Sequence, residues 1–184
     1  MADNKMLIKF FVASESIFFI MLILAYVNFK GTVVDGPTAE SSLNPYVTGI
    51  FSLFLLASSF TIWLAGKSLR AKNHTMMKVW LLVTIVLGAI FIFGQGREWA
   101  GLIEQNITIS RNVFGTTFFT LTGFHGFHVC VGLIMLSILL GLALFGDFKG
   151  PRSDGVEVIS IYWHFVDGVW IVVYSVIYVW AFFL

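Results

Sequence analysis

Residues 79–99 read VWLLVTIVLGAIFIFGQGREW, a run whose only charged residues lie at its end. A helix needs about 20 mostly apolar residues to cross the hydrocarbon core of a membrane, and this run has that length. Comparable runs occupy residues 7–29, 46–66, 112–145 and 156–182. The chain is 58% hydrophobic and 11% charged, against roughly 25% charged residues in soluble domains. We therefore predict an all-α fold: an integral membrane bundle of five transmembrane helices, with residues 1–184 forming a single membrane domain.

The distribution of positive charge predicts the orientation of this bundle. Short cytoplasmic loops carry an excess of lysine and arginine. If the N-terminus is inside, the inner segments hold Lys5, Lys9, Lys67, Arg70, Lys72, Lys78, Lys149 and Arg152. The outer segments hold only Lys30, Arg97 and Arg111. This bias favours an N-terminus inside and a C-terminus outside. The first apolar run lacks a small-residue cleavage site, so we expect a retained helix rather than a signal peptide.

The fourth apolar run is longer than a simple span. Residues 112–145 would measure about 50 Å as a helix, against a hydrocarbon core of about 30 Å. We expect this helix to project beyond the outer surface, or to be tilted or kinked near Gly123 and Gly126. Elsewhere the composition is uninformative: a net charge of +1 suggests no nucleic-acid partner, and the single Cys130 excludes a disulfide framework.

Ionisable side chains interrupt the apolar runs, chiefly in TGFHGFHVCVG (residues 122–132) and YWHFVDGVW (residues 162–170). Such groups cost about 2.5–3.5 kcal/mol each at membrane depth, so they should face the bundle interior. Counting 1.5 Å per residue from the membrane edge sorts them into two clusters. The predicted inner cluster comprises Glu15, Glu157, His164 and Asp167. The predicted outer cluster comprises Gln95, Glu98, His125 and His128.

Each cluster has a structural and a functional interpretation. Buried polar groups in helical bundles commonly act as hydrogen-bonding struts, and the inner cluster could also carry protons. Haem ligation is disfavoured because His128 and His164 differ in depth by about 13 Å by the same count. We predict no catalytic residue and no metal site on this chain. A quinone site or a proton-coupled carrier stays open, although the chain shows neither an internal repeat nor paired broken helices.

At these residues the chain resembles subunit III of the haem-copper terminal oxidases. The resemblance runs in family order through ASESIFFIMLI, FSLFLLASSFTIWLA, WLLVTIVLGAIFIFGQGREW, TGFHGFHVCVG and VEVISIYWHFVDGVWIVVYSVIYVW. It matches the family's helix carboxylates to Glu15 and Glu98 and its paired-histidine motif to His125 and His128. Its last-helix motif matches Glu157, His164 and Asp167. Longer members have seven helices, and we expect this chain to lack the first two, which puts the family's lipid-filled cleft in doubt.

The resemblance implies a non-catalytic subunit of a proton-pumping bacterial cytochrome c oxidase of the aa3 type, which reduces O2 to water. The implied partners are the haem- and copper-bearing subunit I, subunit II and membrane lipids, with a respiratory supercomplex as a further candidate. No cofactor is expected on this chain beyond structural phospholipids, since haems and copper belong to the partner subunits. The implied roles are stability, lipid binding and proton uptake, and the implied location is the bacterial plasma (inner) membrane.

Other interpretations remain open at this point. Five-helix relatives also occur in quinol oxidases and among accessory proteins of nitric oxide reductases, and the sequence does not separate these from a cytochrome c oxidase. From a different class, a stand-alone membrane carrier or a quinone-binding protein would share the composition.

Overall fold

The computed structural model describes residues 2–30, 39–110, 112–145 and 153–183, and their regular secondary structure is helical, with no strand among them. The helices are α1 (Ala2–Lys30), α2 (Ala39–Ser42), α3 (Pro45–Arg70), α4 (His74–Glu104), α5 (Val113–Leu144) and α6 (Ser153–Tyr174). A π-helical segment, Ser175–Val179, follows α6 and leads into α7 (Trp180–Phe183). Five helices in the described part are long and apolar enough to cross a membrane. The predicted all-α fold with five spans is confirmed.

Four of the five spans extend beyond the apolar runs that predicted them, whereas α5 stays within its run. α4 contains 31 residues instead of the run 79–99, and α5 contains 32. At 1.5 Å per residue both exceed a hydrocarbon core of about 30 Å, so the length of α5 is not exceptional in this bundle. Hydropathy detects only the part of a helix that lies in lipid, which is why the polar end residues His74 and Glu104 escaped the prediction.

An asparagine caps the start of α3, α4 and α5, the second, third and fourth spans along the chain. The Asn44 side chain accepts hydrogen bonds from the Tyr46 and Val47 amides at 3.1 and 3.2 Å, and Pro45 follows it at the first helical position. Asn73 accepts from the Met76 amide at 3.0 Å, and Asn112 accepts from the Gly115 amide at 2.5 Å. These caps satisfy amide groups that have no partner within the helix, and so they define where each span starts.

The spans form one bundle with α6 at its centre. α3 lies along α4, α4 packs on α5, and α6 contacts α5, α3 and α1. α1 is peripheral: 11% of its most apolar window is buried, against 28–33% for the other four spans. The surface of α1 is therefore largely available to lipid or to another protein.

Two tryptophans of α6 fix its position in the bundle. Trp163 donates a hydrogen bond from Nε1 to Ser58 Oγ at 2.8 Å, and Trp170 donates to Ser52 Oγ at the same distance. The Trp163 ring lies between Gly88 of α4 and Gly132 of α5. A methyl group added at Gly88 would stand 3.0 Å from that ring, and one added at Gly132 would stand 2.7 Å from it. Both glycines are therefore required for α4 and α5 to approach the indole.

Candidate functional site

Glu15 and His128 form a pair near the middle of α1 and α5. Glu15 Oε2 lies 3.2 Å from His128 Nε2, and the two side chains are 23% and 10% exposed. The Phe19 ring packs against the imidazole with ring centroids 5.2 Å apart. Tyr162 donates a hydrogen bond to the backbone carbonyl of His128 at 2.9 Å. The pair is thus held from both sides by aromatic residues.

The hydrogen bonds of His128 limit where protons can reside. Its Nδ1 lies 2.7 Å from the carbonyl oxygen of Phe124, which can only accept, so Nδ1 carries a hydrogen. The contact with Glu15 then requires one more proton between Nε2 and the carboxyl group. Either the imidazolium donates to a carboxylate, or the carboxylic acid donates to a neutral imidazole. Both arrangements leave the pair with no net charge, which suits its depth in the membrane.

We expect a double-mutant cycle on this pair to show coupling. Glu15→Ala and His128→Ala should each destabilise the subunit, and their effects should differ from additivity by about 0.6–1.7 kcal/mol, the range found for side-chain hydrogen bonds in membrane bundles. Unfolding of the full chain in mixed micelles by increasing SDS measures this. The exposed Glu104 supplies the control, since Glu104→Ala combined with His128→Ala should be additive within about 0.5 kcal/mol. Additivity of the Glu15 pair would contradict the assigned contact.

His164 and Asp167 of α6 are joined through Ser59 of α3, and we call these three residues the serine-bridged triad. Ser59 Oγ lies 3.0 Å from His164 Nδ1 and donates to Asp167 Oδ2. Asp167 is 3% exposed, whereas the His164 ring is exposed on the surface of the bundle. The triad therefore connects the surface of the bundle to a buried carboxyl group.

Hydrogen counting sets the direction of bonding in the triad. Ser59 has one hydrogen, and it is donated to Asp167. His164 must then donate from Nδ1 to Ser59, which leaves Nε2 of a neutral imidazole as a bare acceptor. Once Asp167 is protonated, both hydrogen bonds can reverse: Asp167 donates to Ser59, and Ser59 donates to His164 Nδ1. The hydrogen of the neutral imidazole then lies on Nε2. The triad can thus exist in two states that differ by one proton.

A second polar cluster, the Glu98 cluster, ties together the ends of three spans. Glu98 accepts hydrogen bonds from Thr48 Oγ1 at 2.6 Å, from the Tyr178 hydroxyl at 2.6 Å and from Gln95 Nε2 at 3.1 Å. Thr48 lies at the start of α3, and Tyr178 lies in the π-helical segment. Because each carboxylate oxygen has a donor, this cluster has the geometry of a structural contact that holds the ends of these spans together.

His125 belongs to none of these three groups of polar residues. It is 1% exposed, and neither ring nitrogen has a hydrogen-bond partner among the described residues. The imidazole stacks on Trp170, with ring centroids 4.8 Å apart and an interplanar angle of 26°, and the Phe91 ring meets its edge at 6.0 Å. His125 thus packs as an aromatic side chain in the core.

The structure groups three of these residues differently from the two predicted clusters. Glu15 was placed in the inner cluster and His128 in the outer one, yet they touch, and His125 does not join Glu98. The difference arises because α1 begins at Ala2 rather than at residue 7, which puts Glu15 near the middle of the helix. Gln95 with Glu98, and His164 with Asp167, do come together. Glu157 is exposed, two turns before His164 on the same helix.

The sequence reasoning missed the hydroxyl partners. Thr48, Ser52 and Ser59 of α3 follow one another at intervals of four and seven residues, which places them on one helix face. All three form hydrogen bonds with side chains of α4 or α6. This spacing was the available signal, and it was overlooked because isolated serine and threonine residues are common in apolar helices.

Comparison with known proteins gives a consistent set of similarities. The family model described as cytochrome c oxidase subunit III matches residues 4–182. A probable cytochrome c oxidase subunit 3 of Mycobacterium leprae is 35% identical over 166 residues, which is 90% of this chain and 82% of the relative. The subunit 3 of Thermostichus vulcanus is 32% identical over 92% of this chain and 83% of its own length. That of Pongo pygmaeus is 41% identical over 79% of this chain and 55% of its own length.

Proposed function

Because this chain belongs to the cytochrome c oxidase subunit III family, and so is a multi-pass membrane subunit of a haem-copper oxidase complex, we propose that it supports proton uptake by the catalytic subunit. The complex is proposed to be of the aa3 type and to lie in a bacterial plasma membrane, with haems and copper in the partner subunits I and II. The chain itself supplies scaffold and lipid contacts and binds no redox cofactor.

The serine-bridged triad is the observation that carries this proposal. When a proton binds His164 Nε2, the proton on Nδ1 passes to Ser59 Oγ, and the Ser59 hydroxyl proton passes to Asp167. The net result is one proton transferred from the exposed imidazole to the buried carboxylate, with a reoriented hydroxyl between them. Glu157 lies on the same helix toward the end that the positive-charge bias places inside, so it is suited to attract protons there. Glu15 pairs with His128 and is no longer grouped with this path.

Turnover at alkaline pH tests the proposal, because collection of protons limits uptake when they are scarce in solution. Asp167→Asn and Ser59→Ala should leave oxygen consumption by the assembled oxidase unchanged at mildly acidic pH and should slow it at alkaline pH. Ser137→Ala is the control, since among the described residues Ser137 bonds only to the Leu133 carbonyl of its own helix. Normal assembly with wild-type turnover across the pH range would reduce the triad to a structural element.

Isolation of the complex tests the assignment of partners. The chain should co-purify with a larger haem-containing protein, and the chain expressed alone should show no Soret band. A Soret band in stoichiometric amount with this polypeptide would place a haem on the chain itself and overturn the proposed division of cofactors. A stand-alone carrier, in contrast, would purify without a haem-containing partner.

A further inference from the structure

A cavity at one end of the bundle leads from an exposed rim to a buried polar interior. It lies between the start of α3 and the end of α4 and has a volume of about 290 Å³. Asn44, Arg97 and Gln105 at its rim are exposed, whereas Gln95 inside it is buried. The volume exceeds the space of a single water molecule, about 30 Å³. The cavity can therefore admit a small polar group to a place that is removed from bulk solvent.

Gln95 brings an unmatched acceptor to this cavity. Its Oε1 has no hydrogen-bond partner among the described residues, although the side chain is only 6% exposed. Its Nε2 donates to Glu98 Oε2 at 3.1 Å. The opposite orientation of the amide would set its oxygen against the carboxylate, so the unmatched atom is the acceptor. A buried acceptor without a partner is costly, and what the cavity lacks is a hydrogen-bond donor.

Glu98, which lines the cavity beside Gln95, supplies a second acceptor. A carboxylate offers about four lone-pair sites, and hydrogen bonds from Thr48, Tyr178 and Gln95 occupy three of them. Oε2 accepts two of these bonds, so the remaining site is on Oε1. All three donors are neutral groups. A positively charged donor would form a shorter and stronger bond to this carboxylate than a neutral donor does.

The walls of the cavity also favour a cation over an anion. The last turn of α4 lines the cavity and carries no basic residue, and the C-terminal end of a helix attracts positive charge. Amides at the start of α3 could bind an anion, but those of Tyr46 and Val47 already donate to the Asn44 side chain. Phe51 and Phe91 also line the cavity, and aromatic rings attract cations.

We propose that this cavity binds a primary ammonium group, which donates one hydrogen to Gln95 Oε1 and another to Glu98 Oε1. A quaternary ammonium group has no N–H and would leave Gln95 unmatched. A divalent metal ion prefers several carboxylate or carbonyl ligands, and the described residues contain no group of three His, Cys, Asp or Glu side chains placed to hold one. The ammonium group belongs either to a soluble amine or to the headgroup of an aminophospholipid, which share this chemistry.

Unfolding of the full chain by SDS in mixed micelles tests for this site. Ethylammonium chloride should raise the SDS concentration at the midpoint of unfolding, because a ligand that binds only the folded state stabilises it. Tetramethylammonium chloride at the same ionic strength is the matched control, since it carries the same charge but has no N–H, and we expect it to leave the midpoint unchanged. Equal shifts with the two salts, or no shift with either, would overturn the proposal.

Two variants locate the bound amine. Glu98→Gln and Gln95→Leu should each abolish the difference between the two salts, when the shift is measured from the midpoint of the same variant without added amine. Glu104→Gln should keep the difference, because Glu104 is an exposed carboxylate of the same helix that does not line the cavity. A difference that survives in Gln95→Leu would mean that the amine binds elsewhere, and the assigned site would be wrong.

Reconstitution into nanodiscs separates the two sources of the ammonium group. In phosphatidylcholine, which has no N–H in its headgroup, ethylammonium should raise the midpoint of thermal unfolding. In phosphatidylethanolamine the shift should disappear if the lipid headgroup already fills the site, and it should persist if the ligand is a soluble amine. Absence of a shift in phosphatidylcholine would contradict the site itself. The result is independent of the proton role, because the cavity is lined by none of the residues of the serine-bridged triad.

Discussion

Replacing Trp163 with alanine should destabilise the bundle by about 3–5 kcal/mol, the range for removing a large aromatic side chain from a packed core. The indole is fully buried, fills the space between Gly88 and Gly132, and donates a hydrogen bond to Ser58. Association of helices in a bilayer depends on van der Waals packing rather than on transfer out of water. Loss of the packed indole should therefore destabilise the bundle in lipid as well. Unfolding of the full chain by SDS in mixed micelles measures it.

The controls for this prediction separate packing from hydrogen bonding. Trp63→Ala removes a tryptophan that is 46% exposed on α3 and should cost far less. Ser58→Ala leaves the indole in place but without its acceptor, which should cost about 1–3 kcal/mol. Gly132→Val should also destabilise, by about 1–3 kcal/mol or more, because the added atoms enter the space of the indole. Equal stability of Trp163→Ala and Trp63→Ala would refute the central position of α6.

Replacing Glu98 with alanine should also destabilise the bundle, by about 1–3 kcal/mol. The substitution leaves the Tyr178 hydroxyl buried without its acceptor, and such a group costs about 1–3 kcal/mol. Thr48 keeps the Asn44 carbonyl as an acceptor at 3.2 Å. Tyr178 is fully buried, so its hydroxyl is removed from bulk solvent. Because Glu98, Thr48 and Tyr178 lie on three different spans, we expect lower retention of this chain in the purified oxidase as well as a lower midpoint of unfolding.

A conservative substitution tests how the Glu98 cluster works. Glu98→Gln keeps one carbonyl acceptor and should recover part of the lost stability. Glu104→Ala is the matched control, because Glu104 is an exposed carboxylate at the end of the same helix. If Glu98→Ala leaves both stability and retention at the wild-type level, the cluster does not hold the helix ends together.

The five spans were predictable because a lipid-crossing helix has a compositional signature that is independent of its neighbours. The clusters were less predictable. Pairing between Glu15 and His128 depends on how far α1 slides along α5, and that displacement is set by packing of residues such as Phe19 rather than by hydropathy. The link between His164 and Asp167 was accessible from their spacing of three residues, but the bridging Ser59 was not, since it lies on another helix.

The packing of His125 was also not predictable from the sequence. An ionisable residue in an apolar run suggested a polar partner, and sequence alone offered Glu98. The structure places the ring on Trp170 instead, with its nitrogens unmatched among the described residues. Which side of a helix faces a tryptophan is a property of the assembled bundle, so no count along one chain segment could have supplied it.

The π-helical segment Ser175–Val179 makes the length of the last span as important as its composition. A π turn holds an extra residue, and one residue corresponds to about 100° of rotation in an α-helix. This offset lets the Tyr178 hydroxyl reach Glu98 while the Trp180 ring lies 4.5 Å from the Lys30 ammonium group. A chain one residue shorter here would keep one of these contacts and lose the other. A simple apolar anchor tolerates insertions and deletions. An insertion or deletion among these five residues should instead disrupt one of the two contacts.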